Sequence, residues 1–162
     1  MSASGRWILS SAPAPGRAAA CWCLRRKTRF GIVRVLESKT AREVLRVLRE
    51  LRQEFGEDFR KLFKTITCDN GCEFAAAKEM EQFAPIYYCH PYSSWERGTN
   101  ENQNKLIRRF CKKGKSMACV TADHAEYITL WMNNYPRRLL GWRRPADLMA
   151  AECAAMGIKL AV

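Results

Sequence analysis

The run Cys68-Asp69-Asn70-Gly71-Cys72-Glu73 places one carboxylate between two thiols, just before a turn. Two chemistries fit those residue types. Cys68 and Cys72, with Cys89 and His90 further on, offer four possible zinc ligands. However, adjacent Cys89-His90 suits one tetrahedral ion badly, and no paired CxxC motif occurs. The alternative is a carboxylate, Asp69, held at the rim of a sheet by the strand that ends there. A second carboxylate, Glu101, stands in Arg97-Gly98-Thr99-Asn100-Glu101-Asn102 at the start of a predicted helix, where the positive end of the helix dipole favours a negative charge. Each also has an ordinary explanation. An Asp before Asn-Gly is a common turn residue, and a Glu near a helix start is favourable without any chemistry.

Elements able to position these groups are legible from periodicity. Ala20 to Arg26 and Phe30 to Leu36 are apolar, β-prone runs around a polar turn, as in an antiparallel hairpin. Val44, Leu45, Leu48, Leu51 and Phe55 recur at helical spacing behind Ser38 or Thr40, and Gly56 ends the pattern. Leu62 to Cys68 and Ile86 to Cys89 read as short strands, with a short helix between them over 74–83. Helical periodicity returns up to Lys113 and again from Thr121 to Asn134. On the first of these helices Gln103, Leu106, Ile107 and Phe110 form one stripe. Glu101, Asn104, Lys105, Arg108 and Lys112 form the other, a carboxylate sharing its face with phosphate-gripping groups. Strands that alternate with helices predict an α/β class with a mixed sheet.

Composition narrows the partners. The 162 residues carry a net charge of +12, which suits a polyanion. The excess sits at both ends: residues 1–36 hold seven basic and no acidic side chains, whereas 37–96 are slightly acidic. No run approaches the roughly 18 apolar residues of a membrane span, and no secretory signal accompanies the eight cysteines, so they are expected to be reduced thiols of a cytoplasmic protein. The stretch from Ser10 to Ala20, rich in Ala and Pro, lacks either periodicity and reads as linker.

Four segments together resemble a known family: TCDNGCEF, HPYSSWERGTNENQNKLIRRF, NNYPRRLLGWRRPADLM and RKTRFGIVRVLESKT. They look like the catalytic core of bacterial insertion-sequence transposases of the IS-thirty family, within the retroviral-integrase-like group. The resemblance covers about residues 25–150. It implies an RNase H-like fold, a mixed β-sheet flanked by helices, with an Asp-Asp-Glu (DDE) triad holding two divalent ions, Mg²⁺ or Mn²⁺, for DNA cleavage and strand transfer. By matching motifs, Asp69 is the second aspartate and Glu101 the glutamate, both metal ligands. The same resemblance makes Tyr92, Trp95, Arg97, Asn104, Lys105, Arg108, Lys112, Arg137 and Arg138 the candidate DNA contacts, against transposon ends and target, in a nucleoid-associated protein that can form homo-oligomers.

The family's first aspartate belongs to a Trp-Glu-x-Asp pattern on the strand preceding the hairpin. No Asp occurs before Asp58 and no Glu before Glu37. The resemblance therefore implies a truncated core, with residues 1–24 a disordered or out-of-frame segment, an incomplete first strand, and a C-terminal tail over 151–162. The expected activity of such a chain is defective. The alternatives are a non-catalytic basic DNA-binding remnant and a zinc-stabilised interaction module.

Overall fold

The computed structural model describes residues 5–12, 19–89, 102, 105–107, 109–110 and 121–158. Five strands form one mixed sheet: β1 (Arg6–Ala12), β2 (Ala19–Arg25), β3 (Gly31–Leu36), β4 (Thr65–Cys68) and β5 (Ile86–Tyr88), in the order β3-β2-β1-β4-β5. β1, β2 and β3 are successively antiparallel; β4 runs parallel to β1 and β5 parallel to β4. With them stand helices α1 (Ala41–Phe55), α2 (Phe59–Leu62), α3 (Ala77–Met80), α4 (Ala122–Asn134) and α5 (Pro145–Ala155).

The central strand is the main departure from expectation. The sequence predicts disorder or an incomplete first strand over residues 6–12, yet β1 pairs on both sides, with β2 and with β4. Its alternation divides the core. Trp7 and Leu9 face the cluster built on α1, α2 and α5, whereas Ile8 faces the smaller one with Leu24, Val33, Ile107, Ala125, Ile128 and Met132. Trp7 is fully buried, stacked on Phe63 with centroids 4.3 Å apart, and its indole N–H donates to the Leu62 carbonyl at 2.9 Å. A strand whose aromatic is packed and hydrogen-bonded in this way is a structural centre, not a linker.

α1 buries Val44, Val47, Leu48 and Leu51 and stops at Gly56, as the spacing predicts. The 74–83 helix is instead two short pieces, a 3₁₀ turn over Cys72–Phe74 and α3. β3 is an edge strand whose outer backbone groups are capped by α4: Asn133 accepts from the Gly31 N–H and donates to its carbonyl, both at 2.8 Å, and Thr129 accepts from the Val33 N–H. Side chains thus stand where a sixth strand would pair. The C-terminal tail predicted from residue 151 is in fact the second half of α5, started by Pro145 at its first turn. Met149, Cys153 and Ile158 enter the main core, and Glu152 pairs with the buried Arg25 at 3.1 Å, Arg25 also donating to the Leu62 carbonyl.

Candidate functional site

The parallel pairing of β1 with β4 stops where β4 ends, at Leu9 opposite Cys68. The next residue of each, Ser10 and Asp69, therefore meet. Ser10 Oγ donates to Asp69 Oδ2 at 2.7 Å, and the Gly71 N–H donates to Oδ1 at 3.2 Å. Asp69 is half-buried, while Ser10 is almost fully buried. The Asp-Asn-Gly turn is pinned from the other side by Asn70, whose amide donates to the Cys89 carbonyl at 3.2 Å. Asp69 thus occupies a rigid position at the rim of the sheet.

One residue further along β1 a second serine–carboxylate pair forms on the opposite face. Ser11 donates to Glu73, which is buried and also paired with Lys39 at 3.4 Å. Glu73 fits only because residue 71 is glycine: a Cβ there would lie 2.5 Å from its carboxylate. The two carboxylates are therefore held separately, Asp69 by Ser10 and Glu73 by Ser11, because neighbouring residues of a strand point to opposite faces. Neither serine nor Glu73 is singled out by spacing. The only signal is Trp7 three residues before Ser10.

The cysteines act as packing. Cys21, Cys23, Cys68, Cys89 and Cys153 are buried thiols outside any disulfide, and Cys72 is exposed. Burial pushes the Cys23 thiol up to about 12, against the pull of Arg34, and raises Cys21 and Cys68 as well. Such thiols stay protonated, and metal binding requires the thiolate. Among the described residues no group of three or more His, Cys, Asp or Glu is arranged to hold a metal ion. His90, the fourth member of the zinc set, lies outside them.

Of the predicted site residues, Glu101, Tyr92, Trp95, Arg97, Asn104, Arg108 and Lys112 also lie outside the described residues. Residues 105–107 are helical, with Ile107 buried against the Ile8 face and Lys105 exposed, as the two stripes require. Lys105, Arg137 and Arg138 come together around a cavity of about 470 Å³, joined by Arg29, Arg109, Tyr135, Leu139 and Trp142. Arg109 and Trp142 are not among the sequence candidates, although both belong to basic or aromatic runs. Arg109 sits over the Trp131 and Tyr135 rings at 5.9 and 5.8 Å, and Arg137 over Tyr135 at 5.8 Å. Burial lowers the Arg137 guanidinium pKa, partly offset by Tyr135, with like charge from Arg29 and Arg109 adding to the effect.

No protein-family model matches the chain. It is similar to the transposase for insertion sequence element IS4351 of Bacteroides fragilis, 48% identical over 90 residues, which is 54% of this chain and 28% of that protein. It is also similar to the probable transposase for insertion-like sequence element IS1161 of Streptococcus salivarius, 35% identical over 125 residues, 77% of this chain and 34% of that protein. With the transposase InsI for insertion sequence element IS30C of Escherichia coli it shares 32% identity over 126 residues, 76% of this chain and 32% of that protein. The chain thus spans about a third of the length of the curated relatives it matches.

Proposed function

We propose that this chain is a DNA-binding piece of an insertion-sequence transposase, with an RNase H-like core of the DDE type whose cleavage centre is incomplete at Ser10. The observation that carries this reading is the Ser10–Asp69 contact just beyond the last β1–β4 pair. Trp7 and Ser10 have the spacing of Trp and Asp in the family's Trp-Glu-x-Asp pattern, so a hydroxyl stands where the first carboxylate belongs. The similarity to transposases and the mixed sheet flanked by helices support the same reading.

Whether these residues suit Mg²⁺ or Mn²⁺ follows from their donors. Hard divalent ions take several oxygen ligands, carboxylates foremost. Among the described residues this rim offers one carboxylate, which has hydrogen bonds on both oxygens and a neutral hydroxyl as its strand neighbour. That set does not fit two metal ions. What this chain's residues do is hold Asp69 rigid and present a basic surface. The +12 charge and the cluster of Lys105, Arg109, Arg137 and Arg138 favour phosphate contacts, with affinity falling steeply as salt rises.

Restoring the missing charge tests the reading. With Mn²⁺ and supercoiled DNA, the unaltered chain should nick only at background. Ser10→Asp should raise nicking about 100-fold, the scale on which cooperating catalytic groups are felt, and adding Asp69→Asn should remove the gain. A folded Ser10→Asp chain that stays at background sinks the proposal. So does Asp69-dependent nicking by the unaltered chain.

A further inference from the structure

We propose that the cavity between the Lys105–Arg109 side and the Arg137–Arg143 loop is a pocket for one unpaired DNA nucleotide, with its base on Trp142 and its phosphate among Arg109, Arg137 and Arg138. This rests on the DNA-binding reading above and adds a preference for unstacked strand over duplex.

The loop is built to present an aromatic. The Arg137 N–H donates to the Arg143 carbonyl at 3.1 Å, and the Leu140 and Trp142 N–H groups both donate back to the Arg137 carbonyl at 2.9 Å. On this closed frame Leu139 and Trp142 are 75% and 69% exposed, the two most exposed large apolar side chains among the described residues. Trp142 also has φ +62, a left-handed backbone that bulky L-residues seldom adopt. A large ring held in strained backbone and offered to solvent does nothing for the core. It is what a stacking platform requires.

The cavity walls supply the complement. Among the described residues that line it, five are cationic and none is acidic. Arg137 points one donor at the Met132 carbonyl, at 3.1 Å, while its buried Nε has no hydrogen-bond partner among the described residues. Converging guanidiniums with no carboxylate among the described residues beside them favour an anion, and a buried donor without a partner is costly to leave so. A volume of about 470 Å³ is within the range of small-ligand pockets and suits one nucleotide.

Placement links the pocket to Asp69. Leu24, which lines the cavity, pairs with Ile8, and Ile8 shares its face with Ser10 two residues on, about 7 Å along the strand. One DNA strand a few nucleotides long spans both.

Fluorescence anisotropy with a blunt duplex and the same duplex carrying a short single-stranded extension separates the possibilities. The unaltered chain should favour the extended DNA. Trp142→Ala should lower that affinity about tenfold and leave the blunt duplex unchanged, while Trp142→Phe keeps most of the preference. A 2-aminopurine in the extension should be quenched by the unaltered chain and not by Trp142→Ala. Equal affinity for both DNAs, or equal weakening on both in Trp142→Ala, overturns the pocket and leaves general DNA binding standing. Failure to bind either DNA overturns both readings together.

Discussion

The Ser10–Asp69 contact and the Arg137 cavity lie toward the same face of the sheet and are built in opposite ways. At the first, every polar atom described has a neutral partner: a serine hydroxyl on one carboxylate oxygen, a backbone N–H on the other. At the second, among the described residues, cations crowd without an acid and one buried guanidinium nitrogen has no partner. A polar site that is already satisfied has little to gain from a ligand, whereas an unsatisfied one has much. On the function proposed above, holding DNA and cutting it are separable in this chain, because the hydrogen bonds at Asp69 leave its carboxylate satisfied.

Reversing charge on one side only puts that separation under the greatest strain. Lys105→Glu with Arg138→Glu alters two exposed side chains and should leave the core intact. DNA affinity at low salt should fall by on the order of 100-fold, and the slope of log affinity against log salt should flatten by about two, one for each phosphate no longer neutralised. Asp69→Asn should leave both quantities where they are. If Asp69→Asn weakens binding as much, the two regions form one site and the contrast between them disappears.

A smaller effect is expected at the carboxylate. Ser10→Asp places two acids side by side in a nearly buried position, and like charges there repel. The variant should melt below the unaltered chain in EDTA. Mn²⁺ should then raise its melting temperature by the equivalent of about 1.4 kcal/mol at ten times the dissociation constant, with little effect on the unaltered chain. Equal shifts in both proteins would mean that the ion binds elsewhere, and that Ser10 does not stand in a ligand's place.

Why the two regions differ in legibility follows from the range of the interactions that define them. α1, α4 and the β2–β3 hairpin are local patterns: Val44 to Leu51 at helical spacing, Thr121 capping α4 by accepting from the His124 N–H, a turn between two apolar runs. β1 is not local. Its Ser-Ser-Ala end before Pro13 carries no period, and it becomes a strand because β4, some sixty residues away, pairs with it in parallel. Apart from Trp7 three residues earlier, nothing in the sequence marks Ser10, for the same reason: only that register sets it against Asp69. The basic residues of the cavity are legible as charge. Their convergence with Trp142 is not, because it depends on the backbone reversal at Gly141 and Trp142.

The smallest effect sets stability against binding at one residue. Trp142 keeps a left-handed φ of 62° that glycine adopts freely. With its side chain largely in solvent, Trp142→Gly should raise stability by about 1 kcal/mol, while Trp142→Ala, which keeps a Cβ in the same strained backbone, gains nothing. Both should bind the single-stranded extension no better than the blunt duplex. Chemical denaturation of the three proteins measures the first quantity and anisotropy the second. A chain that becomes more stable as it gives up its ligand is one in which the strain is held for binding. A destabilised Trp142→Gly would instead make the indole a packing group, and the cavity would no longer have the feature that sets it apart from the closed contact at Ser10.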